Sequence, residues 1–303
     1  MSEERENKVL PYGGQAIMEG VMMRSPRRAV AAVRAPDGEI VTRVIHESDG
    51  ILPWYRKVPF IRGVFGLVSA MTIGIKALNF SAEVAMKEDE DDKPMHPVLE
   101  GLLFTVSFLI GIGLFMVLPA RLPDYLAAPL GLDAATWNGR IWLNIIEGGF
   151  RIIVFVGYLF IISLFKDIRR IFEYHGAEHK VIWAFERGQD LTVENVQENT
   201  TLHPRCGTSF IFMVVIIAIL SHIPLPWEPV WLRIACRFAV LPLVAGISFE
   251  YLQLAGRYRC HPVIRFMGAP GLWLQKITTK PPSDDMIEVS LTAFRETANA
   301  GEA

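Results

Sequence analysis

Val98–Leu118 reads VLEGLLFTVSFLIGIGLFMVL, and its only charged residue, Glu100, lies near its start. At 1.5 Å per residue, about 20 apolar residues cross the hydrocarbon core of a bilayer. Pro119 and Pro123 follow, and they are expected to end the helix. Three more runs share this character: Ile141–Phe165, Cys206–Ile223 and Trp231–Leu254. The reading is a mainly α-helical polytopic membrane protein with about four transmembrane helices, near 98–118, 141–165, 206–223 and 231–254. Composition agrees, with 51% hydrophobic residues, 20% charged residues and a mean hydropathy of +0.30 over 303 residues. An ordinary soluble chain carries about 25% charge. The net charge of −2 supplies no basic field for nucleic acid, so no nucleic-acid partner is expected. Three cysteines, Cys206, Cys236 and Cys260, are too few for a disulfide framework.

Orientation follows from lysine and arginine in the short flanks. The 120–140 loop carries Arg121 and Arg140, and the 221–230 hairpin carries neither residue type. The 166–205 segment carries Lys166, Arg169, Arg170, Lys180, Arg187 and Arg205. The flanks before the first run and after the last are similarly basic. Both termini and the 166–205 segment are therefore expected in the cytoplasm, which makes this a multi-pass protein of the inner (plasma) membrane. Residues 60–86 are apolar but interrupted by Arg62, Lys76 and Glu83. A fifth span would break the charge rule, so 56–86 is read as an amphipathic or re-entrant helix.

Outside the membrane domain (98–280), residues 1–8 are charged and expected to be disordered, and 87–97 form an acidic linker. Residues 9–55 read as a small cytoplasmic β segment, because AVAAVRA and EIVTRVI flank the turn PDG. In the 281–303 tail, Ile287, Leu291 and Phe294 fall at helical spacing, which predicts a short docking helix.

The chemistry concentrates in FEYHGAEHK at 172–180. His175, Glu178 and His179 form H-x-x-E-H. Two imidazoles four residues apart share a helix face and can bind one zinc, and the carboxylate between them can act on water activated there. A hydrogen-bonded helix just past a membrane span explains the same residues about as well on this motif alone. Further ligands lie at the same leaflet: His203 and Cys206 in LHPRCGTSF, then Cys260 and His261 in RCHP. His203 or Cys206 would complete a three-ligand site. A helix-start turn with a buried thiol is nearly as good an account of that pair, and a polar loop is a better account of Cys260–His261. Glu250, near the cytoplasmic end of the last span, is a candidate catalytic carboxylate beside Glu178, or else an interfacial ion-pair partner. Glu19, in QAIMEGVMMR, faces either a site or a strand edge. Intramembrane Glu147, Arg151 and Arg237 read as a structural ion pair, Glu147 with either arginine.

GGQAIMEGVMMR at 13–24, YHGAEHK at 174–180, HPRCGTSF at 203–210 and ISFEYLQLAGR at 247–257 resemble the YqhQ-like bacterial membrane proteins, known as domain of unknown function 1385. The resemblance spans about residues 9–295. It implies an integral membrane protein labelled as a metal-dependent enzyme of unknown substrate. By position it carries over Glu19, His175, Glu178, His179, His203, Cys206 and Glu250.

Three functions follow as expectations. The first is a metal-dependent membrane hydrolase, with zinc or another divalent ion, acting on a membrane-associated peptide or a lipid-linked group. The second is a non-enzymatic scaffold or assembly factor with a structural His/Cys joint. A transporter is weaker, since no inverted repeat is evident. The sequence does not fix the oligomeric state.

Overall fold

The computed structural model describes residues 12–48, 58–85, 97–258 and 261–299. The expected disordered terminus (1–8), most of the acidic linker and Cys260 lie outside these residues.

Four strands form an antiparallel meander in the order β1 (Gly13–Ile17), β2 (Gly20–Arg24), β3 (Arg28–Arg34), β4 (Ile40–Glu47). AVAAV within β3 is apolar throughout because both faces of the sheet are covered. Alternation assigns the residues. Met22, Ala29, Ala31 and Val33 face one helix, and Val21, Met23 and Ala32 face two others.

The first cover is α1 (Ile61–Ala85), whose Ile73, Ala77, Phe80 and Val84 close one side of the sheet. The opposite side is closed by α5 (Lys166–Glu186) and α10 (Asp284–Ala298). On α10, Ile287, Leu291 and Phe294 are all buried, at the spacing that predicted a docking helix. Thus the start, middle and end of the chain build one three-layered body.

The bundle comprises α2 (Pro97–Ile112), a π-helical turn (Gly113–Val117), α3 (Leu118–Leu126), α4 (Trp137–Ile162), α7 (Gly207–His222), α8 (Val230–Arg257) and α9 (Pro262–Thr278). A five-residue helix, α6 (Val193–Gln197), belongs to the body. Four stretches are long and apolar enough to cross a membrane: 61–85, 101–126, 137–162 and 230–255. Three of them overlap expected spans. The fourth expected span, 206–223, is the 16-residue α7, about 24 Å long at 1.5 Å per residue. The prolines do not stop the first run: Pro119 opens α3 and Pro123 lies inside it. Pro119 falls in the first turn after the π turn, where a missing N–H costs little. The helix α9 was not anticipated, since Pro270 and two glycines disguise its period.

The sheet, α5 and α10 touch and form one body. The sheet seals the C-terminal half of α1, while Ile61, Phe65, Val68, Met71 and Ile75 stay exposed along the helix. The sheet covers α1 on one side only, and α1 is also one of the four stretches long and apolar enough to cross a membrane.

Within the bundle, Glu147 is buried and meets both candidate cations. Arg151 Nη2 lies 2.7 Å from its Oε1 and Arg237 Nη1 lies 2.5 Å from the same oxygen. Neither arginine alone is the partner, because one carboxylate serves two guanidinium groups.

Single cysteines at Asp37 and Glu296 are expected to behave alike toward a membrane-impermeant maleimide in intact cells, and a cysteine at Leu130 in the α3–α4 hairpin to behave oppositely. Opposite labelling of Asp37 and Glu296 positions would contradict the shared body.

Candidate metal centre

The centre lies on α5, the helix that follows α4. H-x-x-E-H falls within α5, so His175 and His179 rise from one face, with ring centroids 4.4 Å apart. A loop from Thr200 to Cys206 crosses that face. Side chains pin its backbone: Trp183 Nε1 donates to Leu202 O at 2.8 Å. The buried Gln275 amide accepts from His203 N at 2.7 Å and donates to His203 O at 2.8 Å. Cys206 is the N-cap residue of α7, so its sulfur sits where the helix dipole favours an anion.

The tautomers of the two histidines follow from their partners. His175 Nδ1 is 2.8 Å from Thr278 O, and His179 Nδ1 is 2.5 Å from Thr201 O. A carbonyl only accepts, so both Nδ1 atoms carry the proton and both Nε2 atoms hold a free lone pair. Metal-binding histidines are oriented by this arrangement, with a carbonyl gripping the far nitrogen. His175 Nε2 already lies 3.2 Å from Cys206 Sγ. The ligand atoms of His175, His179 and Cys206 all fall within 4.8 Å of one another. Zinc bonds of about 2.0–2.3 Å in tetrahedral geometry put neighbouring donors roughly 3.3–3.8 Å apart. A contraction of about 1.5 Å at most would close the set, so these residues fit the ion, with a fourth position open.

His203 takes a different place. Its ring is 5.7 Å from that of His179, but its Nδ1 accepts from Arg205 N–H at 3.3 Å. The ring proton is therefore on Nε2, which lies 3.5 Å from Glu186 Oε1. Burial, the largest influence, lowers its pKa, and the nearby Glu186 only partly offsets that. A neutral imidazole with both nitrogens directed elsewhere is a neighbour of the centre and not its third ligand. Arg205 also pairs with Glu186.

Glu178 lies one residue from His179 but about 60° around the helix from His175. Its carboxyl is seated against β1, where Gly14 N–H donates to it, and it does not join the ligand group. A Cβ on Gly14 would come within 2.7 Å of Glu178 Cγ, so only glycine permits the seat. Burial pushes this carboxyl up to about 7, and His175 and the Gly14 N–H only partly oppose the rise.

The remaining candidates are elsewhere. Glu250 binds Arg62 through both oxygens, with Arg62 Nε at 2.8 Å, and accepts from Phe60 N at 3.1 Å. It ties α8 to the start of α1 and is no third carboxylate of the centre. Glu19 sits in the β1–β2 hairpin with φ of +51° and pairs with Arg170, accepting also from the Tyr174 hydroxyl at 3.3 Å. It fastens the sheet to α5. His261 caps the start of α9 and is not in the ligand group. Thr201, Thr278, Gln275 and Glu186 were missed by sequence reading. The two threonines act through backbone oxygens, for which residue type carries no signal.

A model of the family described as a protein of unknown function (DUF1385) matches residues 58–300. The chain belongs to this family. The uncharacterized protein YqhQ of Bacillus subtilis is 38% identical over 304 residues, covering 96% of this chain and 93% of the relative. That match takes in the sheet that the family model leaves out. No solved structure matches. The family carries no assigned activity, so the argument for function rests on the centre itself.

A Cβ at Gly176 would meet Lys280 O at 2.0 Å. Gly176→Ala is expected to push the 278–280 segment off α5, drag Thr278 O from His175 and cost at least about 1–3 kcal/mol. Gly188→Ala, strained by its φ of +67° but remote from the centre, is the comparison. Unfolding midpoints together with zinc titration separate the two, since only Gly176→Ala should also weaken zinc binding.

Proposed function

We propose that this protein is a zinc-dependent hydrolase working at the cytoplasmic leaflet of the plasma membrane, with both termini on that side. The observation that carries the reading is the pair of imidazoles whose Nδ1 protons are fixed by Thr278 and Thr201 carbonyls, leaving two Nε2 lone pairs beside the Cys206 sulfur. His175, His179 and Cys206 would hold the ion. Three protein donors leave one position open, and the ion would supply Lewis acidity toward a carbonyl or phosphoryl oxygen and toward water.

The chain's own residues supply the rest. Glu178 is the general base. A carboxyl raised to about 7 is part ionised near neutrality, and a base poised there takes a proton from water and returns it to a leaving group. Neutral His203, with Nε2–H toward Glu186, supports the wall of the site. The excess of lysine and arginine in the 166–205 segment argues for the cytoplasmic leaflet. A site at the rim of the bilayer suits a peptide bond close to the membrane or a lipid-linked group.

One observation favours a second reading, a scaffold with a structural metal clip: the Glu178 carboxyl leans on Gly14 and stands outside the ligand group. Two measurements separate the readings. Detergent-purified protein should contain about one zinc per chain, and His175→Ala with His179→Ala should remove nearly all of it. Equal metal in both preparations would overturn the metal site altogether. Glu178→Gln should retain zinc and normal abundance yet fail to replace the wild type in cells lacking their own copy. Full replacement by Glu178→Gln would favour the scaffold.

A further inference from the structure

At the far end of the bundle, α2, the π turn, α4, α7 and α8 enclose a cavity of about 240 Å³. Its walls are apolar, yet Arg151, His222 and Arg237 line it. His222 is 6% and Arg237 7% exposed, and two of their nitrogens, His222 Nε2 and Arg237 Nε, are buried with no hydrogen-bond partner. Such atoms are costly to bury unpaired. Glu147, which also leaves one buried oxygen unpaired, neutralises only one of the two guanidinium groups. The pocket therefore keeps one surplus positive charge.

The mouth of the cavity is lateral. Val117, Phe238 and Leu241, at 47%, 46% and 42% exposure, form an open apolar rim on membrane-spanning helices. Water-soluble ligands do not approach through such a rim, whereas lipids do. The π turn supplies the wall at Phe115–Val117, and Phe115 O accepts from Arg151 Nε at 3.3 Å, which holds that guanidinium at the cavity edge. Insertions of this kind recur at functional sites. His222 is 16 residues from Cys206, so helix rise puts this end of the cavity about 24 Å along α7 from the metal centre.

We propose that this cavity binds one anionic amphiphile from the leaflet opposite the soluble body. The head, a phosphate or carboxylate, would take donors from Arg237 and His222, and one acyl chain would run inward toward Ile112 and Val214. The surplus positive charge and the two unpaired nitrogens select an anion, and the apolar lateral mouth selects a lipid. This site is separate from the proposed hydrolytic centre and stands or falls without it.

Native mass spectrometry of the full chain, delipidated in neutral detergent, tests the proposal. The probes are phosphatidylglycerol, oleate, phosphatidylcholine and monoolein. One phosphatidylglycerol or one oleate should be retained at least about tenfold better than either uncharged-net lipid. Which of the two is held better identifies the head as phosphate or carboxylate. Ala218→Phe fills the cavity without touching a charge and should cut retention about tenfold. Ile234→Trp, at the rim, should do the same with no burden on the core, and covers the case in which Ala218→Phe does not fold. Equal retention of anionic and neutral lipids would overturn the proposal. So would undiminished retention in Ile234→Trp, or a lipid-free dimer in place of a lipid-bound chain.

Discussion

The structure depends on sealing both faces of one small sheet. Neither hairpin of a four-stranded meander is stable alone with two apolar faces. One face takes α1, next in the chain, and the other takes α5 and α10, which come after further helices of the bundle. This burial gathers the sheet, α1, α5 and α10 into one body. It also brings the 278–280 segment beside α5, where Lys280 N donates to Phe172 O at 2.9 Å and Thr278 O meets His175. Folding of this body and orientation of the His175 ring are therefore one event.

The same coupling explains why backbone groups of the 200–206 loop are held by side chains from neighbouring helices. A loop held against a helix by backbone contacts alone would expose its donors to a partly dry interface. Here Gln275 from α9 closes both polar groups of His203, and Trp183 takes the Leu202 carbonyl. The loop therefore has little freedom, and Cys206 at its end is delivered to His175. A rigid approach of this sort is what a centre assembled from α5 and a later loop requires.

Much of the architecture was legible because its signals are periodic. The spans near 98–118, 141–165 and 231–254 follow from apolar runs, and a short helix in the 281–303 tail follows from the spacing of Ile287, Leu291 and Phe294. The boundary residues were less legible: Pro119 reads as a stop, but a π turn ahead of it shifts the register and lets the chain continue. The helix α9 hid behind Pro270. At the centre, sequence named His175, His179 and Cys206 but could not choose between Cys206 and His203. That choice turns on which nitrogen of His203 faces which neighbour, set by the Arg205 backbone N–H and by Glu186, which lies outside the quoted motifs. Glu250 misled because Arg62, its partner, is 188 positions away.

Glu19 and Glu250 show how a family-like motif can carry stabilising chemistry beside a site. Each is an acid among apolar neighbours, and each proves to be a fastener: Glu19 joins the sheet to α5, and Glu250 joins α8 to the start of α1. Glu19 acts within the body, and Glu250 acts between the body and the bundle. Each charged pair is only partly desolvated, so it fixes register without the full cost of a buried ion. Glu178 differs in kind. Among these three acids it is the one whose carboxyl lacks a cationic side chain in hydrogen-bond contact and is raised toward neutrality. An acid kept so, one residue from a metal-ready histidine, is poorly explained by stability, since an apolar residue would fill the same space at lower cost. Its place beside His175 and His179 is the strongest reason to look for proton transfer there.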